Sequence, residues 1–226
     1  KGDFHKGQIN DLLIMIDVSL SQSFLNPKSV AIIGASADPK KTGSRAQRFL
    51  VSHGYKGKIF PVNPNREEIF GLKCYPNLKS INEHIDHIFI AVDSNKIIEA
   101  IKDAISKKVR CATILSGGFS ETGSEGNDLE KQVFKIAKKG DLRILGPNSI
   151  GLINISDNVI LSANAMLELQ DLKKGSLGVI SHSGSLIGAL LAHGHSRGIG
   201  FSKLVSVGNE SDLSVGEIGK MLVNDP

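Results

Sequence analysis

Short runs of apolar residues alternate along this chain with longer segments in which apolar residues recur at helical spacing. Five runs predict strands in the first part of the chain, at 29–34, 58–64, 87–92, 111–116 and 142–146. Such continuous runs are typical of strands that are buried on both faces of a sheet. Helices are predicted between them at 44–54, 94–108 and 125–139. Ser94 is the expected N-cap of the second of these helices.

A second alternation follows a stretch without a sustained period, at 153–175, which we expect to be a linker. Strands that alternate with helices predict parallel sheets with helices on both faces. The second alternation has strands at 176–181 and 203–208 and helices at 184–198 and 213–223. The pattern therefore predicts two α/β domains, at 24–152 and 176–226. Only about three strands could form in the second, which is few for a stable sheet, and no role is assigned to the leader at 1–23.

Composition limits the partners that this chain could bind. Of its 226 residues, 40% are hydrophobic and 22% are charged, which suits a globular protein with a buried core. The net charge of +4 fits an anionic ligand but falls short of a nucleic-acid surface. The 2 cysteines form no metal-ligand pattern and predict reduced thiols in a cytoplasmic protein. No apolar run approaches the roughly 20 residues that span a membrane.

The loops that follow the first five strands should meet, because the carboxyl ends of parallel strands lie at one edge of a sheet. These loops carry glycines, hydroxyl groups and cations, among them Gly34, Ser36, Lys40, Lys41, Thr42, Arg66 and Ser116. Taken singly, Gly34 can be an ordinary turn and the lysines can be solvated charges. Together the loops predict a ligand with several phosphates, held against helix N-termini.

The residues after the second strand decide between ligand classes. A site for NAD needs an acid about 20 residues after the glycine turn, where it binds the ribose hydroxyls. Here that place reads Asn63-Pro64-Asn65-Arg66. An arginine would attract a phosphate on the ribose, and both NADP and coenzyme A (CoA) carry one. An NADP-binding oxidoreductase therefore stays open, although no residue stands out for hydride transfer.

Seven stretches occur in order between Phe24 and Pro226: "PKSVAIIGAS", "IFPVNPNREEIFGLKCYPNL", "GGFSETGSEG", "RILGPNSIGLIN", "GVISHSGSLIGALL", "GIGFSKLVSVGNESD" and "LVNDP". In them the chain resembles the CoA-binding region of the NDP-forming acyl-CoA synthetases, of the ADP-forming acetyl-CoA synthetase α-subunit type, which are relatives of the succinyl-CoA synthetase α subunit. The resemblance implies a Rossmann-like parallel-sheet CoA-binding domain. The resemblance also implies that the first part of a flavodoxin-like succinyl-CoA-synthetase-type domain follows, and that this domain is truncated in this chain.

The resemblance also implies a set of CoA-binding positions. The loop at 36–43 would surround the CoA phosphates, Arg66 would face the nucleotide phosphate, and the Ser116 loop would contact the pantetheine–nucleotide region. The segment 146–148 would bring the thiol end toward the second domain, and Ser149 stands where relatives often have cysteine. The full implied set is Gly34, Ala35, Ser36, Lys41, Thr42, Gly43, Asn63, Pro64, Arg66, Val92, Ser116, Gly117, Gly118, Asn148 and Ser149.

The segment "SHSGS" is predicted to begin the first helix of the second domain, with N–H groups of Ser183, Gly184 and Ser185 left unpaired. By itself the segment fits either an N-cap at Ser181 or Ser183, or an anion site. In the family this helix start holds the phosphate of a phosphohistidine. Relatives have Gln or Arg at the place of His182, so His182 is not expected to be that nucleophile. The phosphorylated histidine and its orienting glutamate are expected beyond Pro226, and no catalytic or metal-binding residue is assigned in this chain.

The implied function is that of part of an acid–thiol ligase. Acid, CoA and NTP would give acyl-CoA, NDP and phosphate, through acyl phosphate and the phosphohistidine, and this chain alone is expected to be inactive. ATP or ADP and Mg²⁺ would bind an ATP-grasp domain or a β subunit, in a homo- or hetero-oligomer. A non-catalytic CoA-binding regulatory module is the alternative.

Overall fold

A computed structural model describes residues 17–169 and 171–225 of the chain. Its helices are α1 Val18–Leu25, α2 Thr42–Ser52, α3 Ile97–Ser106, α4 Ser124–Lys139, α5 Gly184–Ser196 and α6 Val215–Val223. Its strands are β1 Ser29–Ile33, β2 Lys58–Val62, β3 Glu68–Ile69, β4 Leu72–Lys73, β5 His87–Ile90, β6 Cys111–Ile114, β7 Arg143–Leu145, β8 Gly151–Asn154, β9 Val159–Ser162, β10 Lys174–Ser181 and β11 Phe201–Ser206. Single 3-10 turns lie at Leu78–Ser80, Ser94–Lys96, Ser120–Thr122 and Ala165–Glu168.

The first sheet has five parallel strands in the order β2-β1-β5-β6-β7. In its centre, Ile32 pairs with Pro61 of β2 on one side and with Phe89 of β5 on the other. The chain moves outward from β1 in one direction to reach β2 and in the other to reach β5. This reversal of strand order creates a crevice at the carboxyl ends of β1 and β5, where open α/β sheets bind their ligands. The predicted parallel α/β fold is confirmed.

Helices cover both faces of this sheet and bury its apolar side chains. Ile97 and Ile101 of α3 and Val133 of α4 pack with Ile88 and Ile144 of the sheet in one core. On the opposite face, Ala46 and Leu50 of α2 join residues of β1, β5 and β9, namely Val30, Ile32, Phe89, Val159 and Leu161. The starting points of α2 and α3 are therefore fixed beside the crevice by burial of their apolar faces.

The second sheet has four strands in the order β10-β11-β8-β9. Strands β10 and β11 are parallel, whereas β8 pairs antiparallel with both β11 and β9. The predicted linker at 153–175 is wrong as a description of this segment, since it contains the end of β8, all of β9 and the start of β10. The strands β8 and β9 are fully buried, and no glycine or proline between Gly151 and Gly175 marks their ends in the sequence. They also supply the strands that the second domain seemed to lack.

Most predicted elements are present, with ends shifted by a few residues. The prediction that Ser94 is the N-cap of the helix is wrong, because Ser94 begins a 3-10 turn and α3 starts only at Ile97. The N-cap of α3 is Lys96, whose side chain makes no capping hydrogen bond. Within 17–169 and 171–225, no helix is long and apolar enough to cross a membrane.

Candidate functional site

Two glycines let the elements at the crevice approach closely. Gly34 follows β1 with a φ of +83°, and a β-carbon there would lie 2.6 Å from the carbonyl oxygen of Ala91. Gly43 lies in the first turn of α2, and a β-carbon there would lie 2.8 Å from the carbonyl oxygen of Gly34. The loop between the glycines therefore leaves β1 and returns to the same point. Gly34 and Gly43, which are widely spaced in the sequence, are therefore in direct contact in the structure.

A cavity of about 280 Å³ opens on the β2 side of the crevice. Its floor and one wall come from the ends of β1 and β2 and from the loop after β5, through Gly34, Asn63, Pro64 and Val92. The opposite wall comes from the polar side of α3 and the turn before it, through Lys96, Glu99 and Asp103. The lining thus combines apolar side chains such as Pro64 and Val92 with the charged residues of the α3 side. The volume of the cavity suits a flat ring.

A second cavity of about 520 Å³ opens on the other side of Val92. It is lined by residues of the loops after β5 and β6 and of the start of α2: Thr42, Gly43, Ala91, Val92, Asp93, Ser94, Leu115, Ser116 and Gly117. The hydroxyl group of Ser116 donates a hydrogen bond to the carbonyl oxygen of Val92, which ties the two loops together. Because Val92 lines both cavities, an extended ligand could occupy them together.

The start of α2 is the strongest anion-binding feature of the second cavity. The N-cap Lys41 makes no side-chain capping bond, and the N–H groups of Thr42 and Gly43 find no acceptor within the described part of the chain. Free N–H groups and the helix dipole both favour an anion at this position. Ser36 and Asp38 shape the preceding loop, since the Ser36 hydroxyl accepts from the Asp38 N–H at 3.1 Å and the Asp38 carboxylate accepts from the Lys40 N–H at 2.9 Å.

Asn63 holds the loops after β1 and β2 together. Its amide group donates to the carbonyl oxygen of Ala35 at 2.8 Å, and its side-chain oxygen accepts from the N–H of Asn65 at 2.9 Å. Ala35 is fully buried, so it contributes through its backbone. Asn63 therefore lines the first cavity mainly as a structural residue whose polar atoms are already occupied.

Arg66 lies in a shallow opening beside the first cavity, lined by Pro64, Asn65, Arg66, Glu67, Lys73, Cys74 and Pro76. Pro64, Asn65 and Pro76 line both spaces. Within 17–169 and 171–225, neither Arg66 nor Lys41 is part of an ion pair. Both side chains are exposed at the rim of the crevice. They are therefore available to an anionic ligand.

The loop at 116–119 is held by Glu121. Its carboxylate accepts hydrogen bonds from the N–H groups of Gly118 at 2.6 Å and Phe119 at 3.2 Å. Burial works to raise the pKa of Glu121, but the hydrogen bonds from Asn209 and from these amides outweigh it and lower the pKa. Glu121 was not singled out from the sequence, although it follows the glycine loop directly.

The segment 146–149 lies where the two sheets meet. Asn148 is exposed, and its N–H donates to the carbonyl oxygen of Ser116 at 3.0 Å. Ser149 is fully buried, and its hydroxyl donates to the carbonyl oxygen of Ser206 in β11 at 2.6 Å. The structure therefore keeps Asn148 near the Ser116 loop but places the Ser149 side chain inside the contact between the sheets, away from both cavities.

The start of α5 lies next to this segment. A β-carbon on Gly184 would lie 2.7 Å from the side chain of Ile150, so the helix start packs on the end of the loop. Ser183 is the N-cap and accepts from the N–H of Leu186 at 3.3 Å. The N–H of Ser183 donates to the Ser181 hydroxyl at 3.0 Å, so this group is paired, contrary to the sequence-based expectation. The side chain of Ser185 is exposed.

His182 is held at the helix start by two acceptors. One ring nitrogen lies 3.1 Å from the Glu210 carboxylate and the other lies 3.1 Å from the carbonyl oxygen of Gly208. Both ring nitrogens thus face oxygen atoms of the loop after β11. This arrangement gives His182 a structural role between two loops of the second domain.

The comparison with known families shows to which family the domain with this crevice belongs. Residues 28–155, more than half of the chain, match the family described as CoA binding domain. The chain belongs to that family. Residues 174–226 match the succinyl-CoA ligase like flavodoxin domain, so the CoA-binding domain continues here into the second unit that the sequence resemblance implied. That resemblance is confirmed.

Two relatives of this chain are ADP-forming ligases. It is 38% identical over 201 residues to the ADP-forming acetate–CoA ligase II of Archaeoglobus fulgidus, with 88% of this chain and 29% of that protein covered. It is 37% identical over 201 residues to the α subunit of the ADP-forming acetate–CoA ligase II of Pyrococcus furiosus, with 89% and 43% covered. The chain thus spans less than half of the length of either protein.

A solved structure gives the same fold. The dinucleotide forming acetyl-coenzyme A synthetase 1 of Candidatus Korarchaeum cryptofilum, in complex with phosphate and ADP, superimposes with a TM-score of 0.85 at 35% identity. The match covers 91% of this chain and 43% of that one. The crevice of the CoA-binding domain described above therefore lies in a fold shared with a synthetase.

Sequence reasoning missed several polar residues of the CoA-binding domain. Lys96, Glu99 and Asp103 line the first cavity from one side of α3. Their helical spacing was visible in the sequence, and α3 follows the strand next to the strand-order reversal, so the two facts together could have found them. Asn209 gave no such signal, because it is distant in sequence from the loop that it contacts.

Proposed function

We propose that this chain is the CoA-binding part of an NDP-forming acyl-CoA synthetase. The observation that carries the proposal is the pair of cavities that meet at Val92, with the free N–H groups of Thr42 and Gly43 at one and exposed Arg66 beside the other. A molecule with an adenine ring, a ribose phosphate, a pyrophosphate and a long arm matches this sequence of environments.

The parts of CoA would be distributed along the crevice. The adenine ring would lie in the cavity beside Pro64 and Val92, with its ribose phosphate toward Arg66. The pyrophosphate would lie at the start of α2, beside Lys41, Thr42 and Gly43, where dipole and N–H groups attract it. The pantetheine arm would run along residues 116–118 toward Asn148, which carries the thiol to the second domain.

The remaining predicted site residues, at the start of α5, would bind phosphate. The start of α5, formed by Ser181, Ser183, Gly184 and Ser185, would hold the phosphoryl group of a phosphohistidine supplied by a part of the protein outside this chain. That group passes to the carboxylate of the acid to form acyl phosphate. The CoA thiolate then attacks the acyl carbon and releases phosphate, so that one C–S bond forms as one C–O bond breaks.

Other parts of the protein would supply the nucleotide. The Pyrococcus furiosus relative is an α subunit, which supports a partner subunit or domain that binds ATP or ADP with Mg²⁺. Both cysteines are free and buried, which supports a reducing, cytoplasmic setting. The acid that is activated depends on residues outside the crevice described here.

Hydrogen–deuterium exchange of this chain with and without CoA tests the placement. Protection is expected in residues 34–43, 63–66, 92–96 and 115–118, and not in the remote end of α4. Protection confined to other segments, or equal protection by NAD at the same concentration, would overturn the proposal.

A further inference from the structure

We propose that Glu121 and Asn209 form a positioning pair that couples the CoA loop at 116–119 to the start of α5. The proposal rests on the proposed function, because it assumes that the first loop contacts CoA and the second site holds phosphate. The contact is direct: the side-chain amide of Asn209 donates to the Glu121 carboxylate at 2.7 Å. Asn209 belongs to the loop after β11, which we name the relay loop and define as residues 208–211.

Glu121 fixes the path of the CoA loop from one side. One carboxylate oxygen accepts from the N–H groups of Gly118 and Phe119. The same oxygen would lie 2.9 Å from a β-carbon on Gly117, so the carboxylate rests against the backbone of the glycine pair. A loop of two glycines has many accessible conformations, and these hydrogen bonds select one of them.

The side chain of Asn209 contacts a second carboxylate besides that of Glu121. Its amide group also lies 3.2 Å from the Glu130 carboxylate, which accepts from the Ser211 hydroxyl at 2.6 Å and from the N–H of Ser120 at 3.1 Å. A neutral donor between two carboxylates relieves their repulsion, and an aspartate there would add a third negative charge. The amide of Asn209 therefore matches its position in charge as well as in shape.

The relay loop is anchored to the first domain through its backbone as well. The N–H of Asn209 donates to the carbonyl oxygen of Pro147 at 2.9 Å, and that of Ser211 donates to Gly146 at 3.2 Å. Gly208 packs directly on Pro147 and Asn148, which leaves no room for a side chain. The relay loop therefore contacts the segment 146–148, which is expected to guide the thiol end of CoA.

The other side of the relay loop holds the start of α5. Glu210 and the carbonyl oxygen of Gly208 both contact the ring of His182, and His182 precedes the N-cap Ser183. The relay loop thus connects the segments 116–119 and 146–148 with His182, which lies at the start of α5. A shift of the CoA loop on ligand binding would move Glu121, then Asn209, and then the His182 contacts.

Amide hydrogen exchange of the ligand-free chain tests the coupling first. Asn209→Ala is expected to raise exchange at Gly118 and Phe119, and at the amides of Ser183 and Leu186, by about tenfold, the effect of losing one charge-assisted hydrogen bond. The matched control Asn127→Ala removes an exposed asparagine of α4 and should leave all four rates unchanged. Unchanged rates in Asn209→Ala at either site would overturn the coupling, whatever the chain binds.

Backbone NMR with added CoA separates this inference from the proposed function. In the wild-type chain, saturating CoA is expected to shift the amide signals of His182 and Ser183. In Asn209→Ala, saturating CoA should still shift the signals of the 116–119 loop, but no longer those of His182. CoA binding that leaves His182 unshifted in the wild type contradicts the coupling alone. Absence of CoA binding to the wild type contradicts the proposed function, and the coupling falls with it.

Discussion

Gly34 and Gly43 lie in contact across the end of β1, with the carbonyl oxygen of Gly34 at 2.8 Å from the place of a β-carbon on Gly43. This contact puts the first turn of α2 directly above the strand end. Thr42 and Gly43, whose N–H groups find no acceptor among the described residues, consequently line the second cavity. The geometry of the anion site thus depends on the absence of one methyl group.

Gly43→Ala is expected to weaken CoA binding and to lower stability by about 1–3 kcal/mol, because the new methyl group pushes α2 away from a backbone atom that cannot yield. The control is Gly216→Ala in α6, where a β-carbon would have only the Ser214 hydroxyl nearby, at 3.9 Å. Thermal unfolding and calorimetric titration with CoA measure both effects. Full CoA affinity in Gly43→Ala would contradict the assigned role of the α2 start.

Arg143 carries the main charged contact between the sheets. Its guanidinium contacts Asp212 at 3.0 Å and Glu217 at 2.8 Å, and Asp212 also accepts from the N–H of Ile144 at 2.7 Å. Arg143→Met should lower stability by about 2 kcal/mol, since two carboxylates lose a charged donor. Lys138→Met on α4 is the control, and urea unfolding is the measurement. A loss of stability no larger than that of the control would show that these ion pairs contribute nothing.

The same contact predicts a dependence on pH. Burial works to raise the pKa of Glu217, but the hydrogen bonds from Arg143 and Ser214 outweigh it and lower the pKa below its ordinary 4.5. A lowered folded-state pKa stabilises the protein above the unfolded pKa, and that stability is lost as pH falls through the folded pKa. Unfolding free energy should therefore fall below about pH 4.5, and fall less steeply in Glu217→Gln. Equal slopes in the two proteins would argue against this assignment.

His87 gives a second pH effect, at higher pH. It is fully buried between α1 and the first sheet, with its ring 2.8 Å from the Thr113 hydroxyl, and burial lowers its pKa from 6.5 to about 4. The unfolded chain thus binds more protons between these values, so the free energy of unfolding rises with pH from about 4 to 6.5. His87→Gln should flatten this rise, while His195→Gln, at an exposed site, should not. A rise that persists in His87→Gln would mean that another group causes it.

Ser183 separates capping from phosphate binding at the start of α5. Ser183→Ala should lower stability by about 1 kcal/mol through loss of the N-cap, and Ser185→Ala, at an exposed side chain, should not. In the complete enzyme of the proposed function, both variants are expected to slow formation of the phosphohistidine, with CoA affinity of this chain unchanged. Normal phosphorylation together with a lower melting temperature in Ser183→Ala would reduce the segment to a helix cap.

The strands and helices around the first sheet could be predicted because short apolar runs there alternate with segments of helical spacing. The hairpin of β8 and β9 was not predicted, because no glycine or proline lies between Gly151 and Gly175 to mark where its strands begin and end. The crevice loops were predictable because the carboxyl ends of parallel strands lie at one edge of a sheet. Contacts such as Glu121 with Asn209 were not, because they depend on how two sheets pack.

The calorimetric affinity of this chain for CoA, compared with dephospho-CoA, NAD and NADP, tests the central claim most directly. CoA should bind more tightly than either dinucleotide. Loss of the 3′-phosphate, or Arg66→Ala, should weaken binding by about 1.5–3 kcal/mol, the range of a charge-assisted contact, and the two losses should not add. Lys138→Ala should leave the affinity unchanged. Tighter binding of NAD or NADP than of CoA would contradict the account.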